Sequence, residues 1–133
     1  MRLWTIALGA VAALTIASGA NAQERERSTL AHPPGVNTIT LGGAPSPANG
    51  RALYFYEKDE SGVSKCLGQC IVAWPPLTPA AGAQPSGAWT IITRPDGARQ
   101  WAYKGRPVYV FYRDKADSIA TGAQLIPGWT LAK

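Results

Sequence analysis

The chain has little of what most enzymes use. It contains one histidine and two cysteines in 133 residues. A single imidazole, His32, cannot serve both a triad and a metal centre, and it lies in a polar stretch far from any motif. There is no G-x-S-x-G, no H-E-x-x-H, no phosphate-cradling glycine loop and no C-x-x-C-H for covalent haem. Triad hydrolysis, zinc proteolysis and nucleotide chemistry on those plans are therefore not expected. Charge is sparse at 16%, with a net +5 scattered along the chain. Scattered basic residues favour solubility and weak attraction to anionic surfaces; a nucleic-acid footprint needs them clustered on a stripe or patch. Long apolar runs are also scarce. The longest, residues 3–16, falls short of the roughly 18 to 20 residues that span a bilayer.

That run sits where an export signal would. Arg2 gives a positive start, the apolar stretch follows, and Ala20-Asn21-Ala22 has the small-x-small pattern of a cleavage site. Residues 1–22 are thus expected to be a signal peptide, leaving Gln23 first in a periplasmic or secreted product. No cysteine stands near that site to be acylated, so neither a lipid anchor nor a membrane span is expected. About 110 residues remain, enough for one domain with one modest core. Residues 23–36 are polar, charged and proline-terminated, which predicts a flexible arm.

Beyond the arm the chain repeats itself at an offset of 55. Gly50-Arg51-Ala52-Leu53-Tyr54-Phe55-Tyr56-Glu57-Lys58-Asp59 lies over Gly105-Arg106-Pro107-Val108-Tyr109-Val110-Phe111-Tyr112-Arg113-Asp114 without a gap. In the same register Gln69, Ile71 and Trp74 fall on Gln124, Ile126 and Trp129. Each copy predicts a strand carrying Tyr-x-aromatic, a turn entered through aspartate, a short crossing and a closing tryptophan. The copies run over about 37–77 and 89–131, within one repeat domain at 37–133. In each aromatic strand both alternating faces are apolar or amphipathic, which places it mid-sheet or between two layers.

Further strands are predicted at 37–41, 89–93 and 99–103. The last two are joined by the turn Pro95-Asp96-Gly97, where proline presets one dihedral and glycine permits a positive one. Gly42-Gly43 and residues 45–50 read as a loop, and so do residues 75–87. The fold class is therefore all-β: a small single domain of two pseudo-symmetric antiparallel β repeats, with one short helical segment near 66–73.

Cys66 and Cys70 are the only thiols, and in an oxidising compartment a disulfide is the default. Residues four apart on a regular helix hold their Cβ atoms too far apart for that bond, so the backbone must leave helical form, with Gly68 allowing it. The second copy has Thr121 and Leu125 at the matching positions, so the unit folds without thiols there. The rival reading is a thiolate pair binding a soft metal such as copper, or cycling in electron transfer.

The aromatic residues Tyr54, Tyr56, Trp74, Trp89, Trp101, Tyr103, Tyr109, Phe111, Tyr112 and Trp129 suit core and sheet packing. Trp74, Trp101 and Trp129 could instead form a binding surface. Asp59 and Asp114 suit turns, their carboxylates accepting backbone N–H bonds; as an acid–base pair they would have to converge on one cleft.

The two Tyr-x-aromatic-x-x-Asp segments, Tyr54 to Asp59 and Tyr109 to Asp114, resemble a bacterial family of exported repeat proteins, predicted lipoproteins that carry this motif. The likeness extends through Ser64-Lys65-Cys66-Leu67-Gly68-Gln69-Cys70, Trp74-Pro75-Pro76-Leu77 and Gln100-Trp101-Ala102-Tyr103-Lys104-Gly105. It implies a small extracytoplasmic repeat domain, often lipid-anchored, with no established activity; this chain departs from the anchored form in lacking the lipid-bearing cysteine. The resulting expectation is a non-enzymatic periplasmic module that binds an unidentified envelope component through aromatic loops or strand edges.

Overall fold

The computed structural model describes Gly9 and residues 30–133. The expected signal peptide and residues 23–29 lie outside these, apart from Gly9. Among the described residues, eight strands and two single-turn helices follow in the order β1 (Asn37–Leu41), β2 (Ala44–Pro47), β3 (Tyr54–Tyr56), α1 (Cys70–Ala73), β4 (Thr78–Pro79), β5 (Trp89–Thr93), β6 (Arg99–Tyr103), β7 (Arg106–Pro107), α2 (Gly122–Leu125) and β8 (Trp129–Leu131). All pairings are antiparallel, in sheets ordered β2-β1-β4, β3-β8 and β5-β6-β7. The β-dominated class expected from the sequence holds, with two short helices among the described residues where one was expected.

Turn chemistry sets the hairpins. Gly42 and Gly43 both take positive φ, at 57° and 84°, and close a two-residue hairpin with Leu41 opposite Ala44. That geometry matches the right-handed twist of the strands it joins. Residues 45–47, read as loop, are therefore part of strand β2. Pro45 and Pro47 are tolerated because β2 lies at the edge of its sheet. Lys104-Gly105 makes the same kind of turn between β6 and β7.

The aromatic segments form the centre, β3 in the first copy and residues 108–111 in the second, where single bridges at Tyr109 to Tyr54 and Pro76 replace the regular strand expected there. Tyr54 N–H donates to the Tyr109 carbonyl at 2.8 Å, and Tyr109 N–H returns a bond to the Tyr54 carbonyl at 3.0 Å. Around this pair the bonds recur at the repeat offset, each copy reaching into the other. Leu77 N–H donates to the Val108 carbonyl and Ala132 N–H to the Leu53 carbonyl; Tyr112 N–H donates to Ala73 and Glu57 N–H to Gly128. Position by position these are equivalent pairs, so the two copies interlock about an approximate twofold axis between Tyr54 and Tyr109.

Strand alternation then divides the interior in two. Leu53, Phe55, Val108 and Val110 point into one cluster with Ile39, Leu77, Trp89 and Trp101. Tyr54, Tyr109 and Phe111 point into the other with Cys66, Trp74 and Trp129. Successive side chains on opposite faces, both buried, is the arrangement their composition required. Of the expected flexible arm, the described part is docked: Leu30 packs against the first cluster and His32 Nε2 donates to the Arg51 carbonyl at 2.8 Å.

Candidate functional site

The motif residues meet in the second cluster, and they do so across the copies. The Tyr54 hydroxyl donates to Asp114 Oδ2, and the Tyr109 hydroxyl donates to Asp59 Oδ2 at 2.7 Å. The remaining carboxylate oxygens hold turns. Asp59 Oδ1 accepts Lys65 N–H at 2.6 Å, while Asp114 Oδ1 accepts Thr121 N–H at 3.2 Å and the Thr121 hydroxyl at 2.9 Å. Each aspartate is thus bonded to a turn amide and to a buried phenol of the other copy. That removes the reading of the two as an acid–base pair. Burial and the Asp114 carboxylate push the Tyr54 phenol well above its ordinary value. Burial and Asp59 do the same to Tyr109, against a lowering bond from Ser64. Both stay neutral donors at any physiological pH.

Between the two phenols lies a stack of rings. The indoles of Trp74 and Trp129 are 3.8 Å apart and nearly parallel at 6°. Tyr56 stacks on Trp129 at 4.4 Å, and Phe111 packs on Trp74 at 4.7 Å. Tyr54 meets Trp74 edge-on and Tyr109 meets Trp129 edge-on, each at 5.1 Å. Trp101 belongs to the other cluster, where its Nε1 donates to Asn37 Oδ1 at 2.7 Å. Trp74, Trp101 and Trp129 are only 3%, 0% and 6% exposed. They are core, so the reading of them as a binding surface is corrected: the family motif builds the interior because each copy closes the other.

Cys66 and Cys70 are joined as a disulfide. Gly68, at φ 60°, turns the chain out of helical form between them, as the spacing required. Helix α1 begins only at Cys70 and stops at Trp74, before Pro75-Pro76, because a residue ahead of proline is disfavoured in helical conformation. A bonded pair offers no thiolate to a metal. Among the described residues, no three histidine, cysteine or acidic side chains converge as a metal site would require.

Sequence reasoning missed a buried arginine. Arg94 is 2% exposed. Its Nη1 donates to Ser64 Oγ at 2.8 Å and Gln100 Oε1 at 2.7 Å, and its Nη2 to the Cys66 carbonyl at 2.6 Å. Ser64 Oγ lies 2.5 Å from the Tyr109 hydroxyl, which links the guanidinium to Asp59. On the outer side Arg94 Nε pairs with Asp96 at 3.1 Å. Burial alone would raise Asp96, but the Ala98 amide and Arg94 together hold it below the usual carboxylate range. One signal was available, since Arg94 directly precedes the predicted turn Pro95-Asp96-Gly97.

This arginine is also among the residues that line an open cleft of about 470 Å³. The β1–β2 turn, with Thr40, Gly42 and Gly43, forms one side. Ile71 and Val72 of α1, with Pro76 and Thr78, form another; Arg94, Asp96, Ala98 and Arg99 of the β5–β6 hairpin complete it. Val72 is 64% exposed, a large apolar side chain held out into solvent. The volume lies in the range of small-molecule sites, which are mostly apolar with a few placed polar groups. No residue singled out from the sequence as a site lines this cleft, because it is made where three separate segments meet.

The family described as a secreted repeat of unknown function matches the chain twice, at residues 47–78 and 90–125. These segments cover half of the chain and contain both Tyr-x-aromatic-x-x-Asp motifs. The chain belongs to this family of secreted repeats. No similar protein is found among curated sequences, and none among solved structures. Within the secreted repeat, the matched segments hold Tyr54, Asp59, Tyr109 and Asp114 and also most of the cleft wall.

Proposed function

We propose that this secreted repeat is a non-enzymatic binding module of the cell envelope, periplasmic after export, and that the cleft between α1 and the two hairpins is its ligand site. One observation carries the reading: an apolar cleft of about 470 Å³ is left open beside an exposed Val72, in a domain whose described tryptophans are all spent on its interior. Binding is favoured over catalysis because the candidate acids, Asp59 and Asp114, have both oxygens engaged in holding the fold. Recognition through aromatic loops gives way here to recognition by an aliphatic wall.

The test is amide chemical-shift mapping with a panel of small apolar fragments. Shifts are expected to concentrate at Gly42, Gly43, Ile71, Val72 and Ala98, and to vanish in Val72→Asp, which alters an exposed side chain and should leave the fold intact. Shifts scattered over the surface, or unchanged in Val72→Asp, would remove the cleft as the site. Export is tested separately. Mass spectrometry of the periplasmic fraction from cells expressing the full chain should find a product beginning at Gln23.

A further inference from the structure

The charges around the cleft select among its conceivable ligands. Arg94 and Asp96 form an ion pair, and Asp96 Oδ1 also accepts Ala98 N–H at 3.0 Å, so that carboxylate is neutralised and bonded. The inner nitrogens of Arg94 are held by Ser64, Gln100 and the Cys66 carbonyl. Arg99, at the start of β6, also lines the cleft and is exposed. The salt bridge among the described residues is the one between Arg94 and Asp96, which leaves Arg99 as one uncompensated positive charge beside a wall of Ile71, Val72 and Pro76.

Building on the reading of the cleft as the ligand site, we propose that it takes a free single-chain aliphatic carboxylate, with the alkyl chain along Ile71, Val72 and Pro76 and the carboxylate on the Arg99 guanidinium. One net positive charge complements a monoanion, and a dianion such as a phosphate monoester would set its second charge against Asp96. A guanidinium presents paired N–H donors that match the two oxygens of a carboxylate. The volume suits one short chain, whereas a phospholipid would have to seat two. The apolar wall supplies the attraction, and Arg99 fixes which end of the ligand lies outward.

The experiment is calorimetric and shift-mapped titration of the oxidised protein with octanoate, decanoate and decanol, each below its aggregation concentration. Decanoate is expected to bind about tenfold more tightly than octanoate, as two further buried methylenes require, with shifts at Ile71, Val72 and Ala98. Arg99→Ala should weaken decanoate several-fold and leave decanol unchanged, and Arg99→Lys should restore part of the loss. Val72→Asp should abolish both. If decanol binds in the cleft and decanoate binds no better, or Arg99→Ala has no effect, the carboxylate assignment is overturned while the cleft survives as a site. If neither compound perturbs the cleft, the assignment and the ligand site fall together.

Discussion

The first repeat and the second use the same frame and secure it by different means. Around Tyr54 and Tyr109 the backbone hydrogen bonds between the copies recur at equivalent positions, yet the segments after the aspartates diverge. In the first, a disulfide ties Cys66 to Cys70, and Arg94 enters from outside to bind Ser64 and the Cys66 carbonyl. In the second, Thr121 stands where Cys66 would, and its amide and hydroxyl both bind Asp114. Gly122 N–H then donates to the Tyr54 hydroxyl at 3.1 Å, where the first copy offers Ser64 to Tyr109. A duplicated unit thus keeps its strand register, which every bond to the other copy enforces. It varies the crossing segment, whose polar groups need satisfying by any route.

The largest effect should separate the two aspartates. Asp114 is 3% exposed and receives three bonds, so Asp114→Ala is expected to cost about 3–5 kcal/mol in urea unfolding, since it strips a buried network. Asp59 is half-buried with two bonds, and Asp59→Ala should cost about 1–3 kcal/mol. Equal losses would mean the copies are more alike than their hydrogen bonds indicate.

A second contrast lies at the paired positions 67 and 122. A Cβ on Gly122 would stand 2.4 Å from the Trp74 ring and 2.9 Å from Phe111. Gly122→Ala should therefore destabilise by about 1–3 kcal/mol through overpacking. Leu67 is exposed, and Leu67→Ala should stay within about 0.5 kcal/mol. Thermal unfolding of the two variants side by side is the measurement.

Removing the disulfide by changing both cysteines to alanine should cost about 2 kcal/mol or less, because a five-residue loop restrains the unfolded chain little. Its larger consequence is expected at the cleft. Ile71 and Val72 follow directly on Cys70, so fragment shifts there should broaden or weaken while the Tyr54 and Tyr109 amides are unmoved. Loss of the whole fold would show that the first copy needs its bridge in a way the second does not.

The smallest effect is a slope with pH. Burial raises Asp59 above its ordinary value, against bonds from Lys65 and Tyr109. The folded chain then binds more protons than the unfolded one in the window between the ordinary and raised values, so this group makes stability fall as pH rises through that window. Asp59→Asn should flatten the corresponding part of the stability curve. A slope unchanged in that variant would assign it to other groups.

Much of the frame could be read in the residues. The offset of 55, the two-faced strands, the Pro95-Asp96-Gly97 turn and the non-helical path at Gly68 are local or periodic signals, and each has a steric cause that acts wherever the segment lies. The β1–β2 hairpin was hidden by Pro45 and Pro47, which argue against a strand unless that strand is an edge, and edges are set by partners. The exposure of the tryptophans was equally illegible. Trp74 closes α1 and Trp129 opens β8, and only the interlock of the copies stacks one on the other.

What the sequence determined by itself is therefore a duplicated β unit with one cystine, because alternation, turn stereochemistry and residue spacing operate within a few neighbours. Which groups would be spent inside and which left outside was decided by the tertiary structure. Asp59 and Asp114 lost their freedom to phenols 50 and 60 residues away, and Val72 and Arg99 became neighbours of one cleft. Contacts of that range depend on how the copies dock, and a linear pattern carries no distance between segments that meet only after folding.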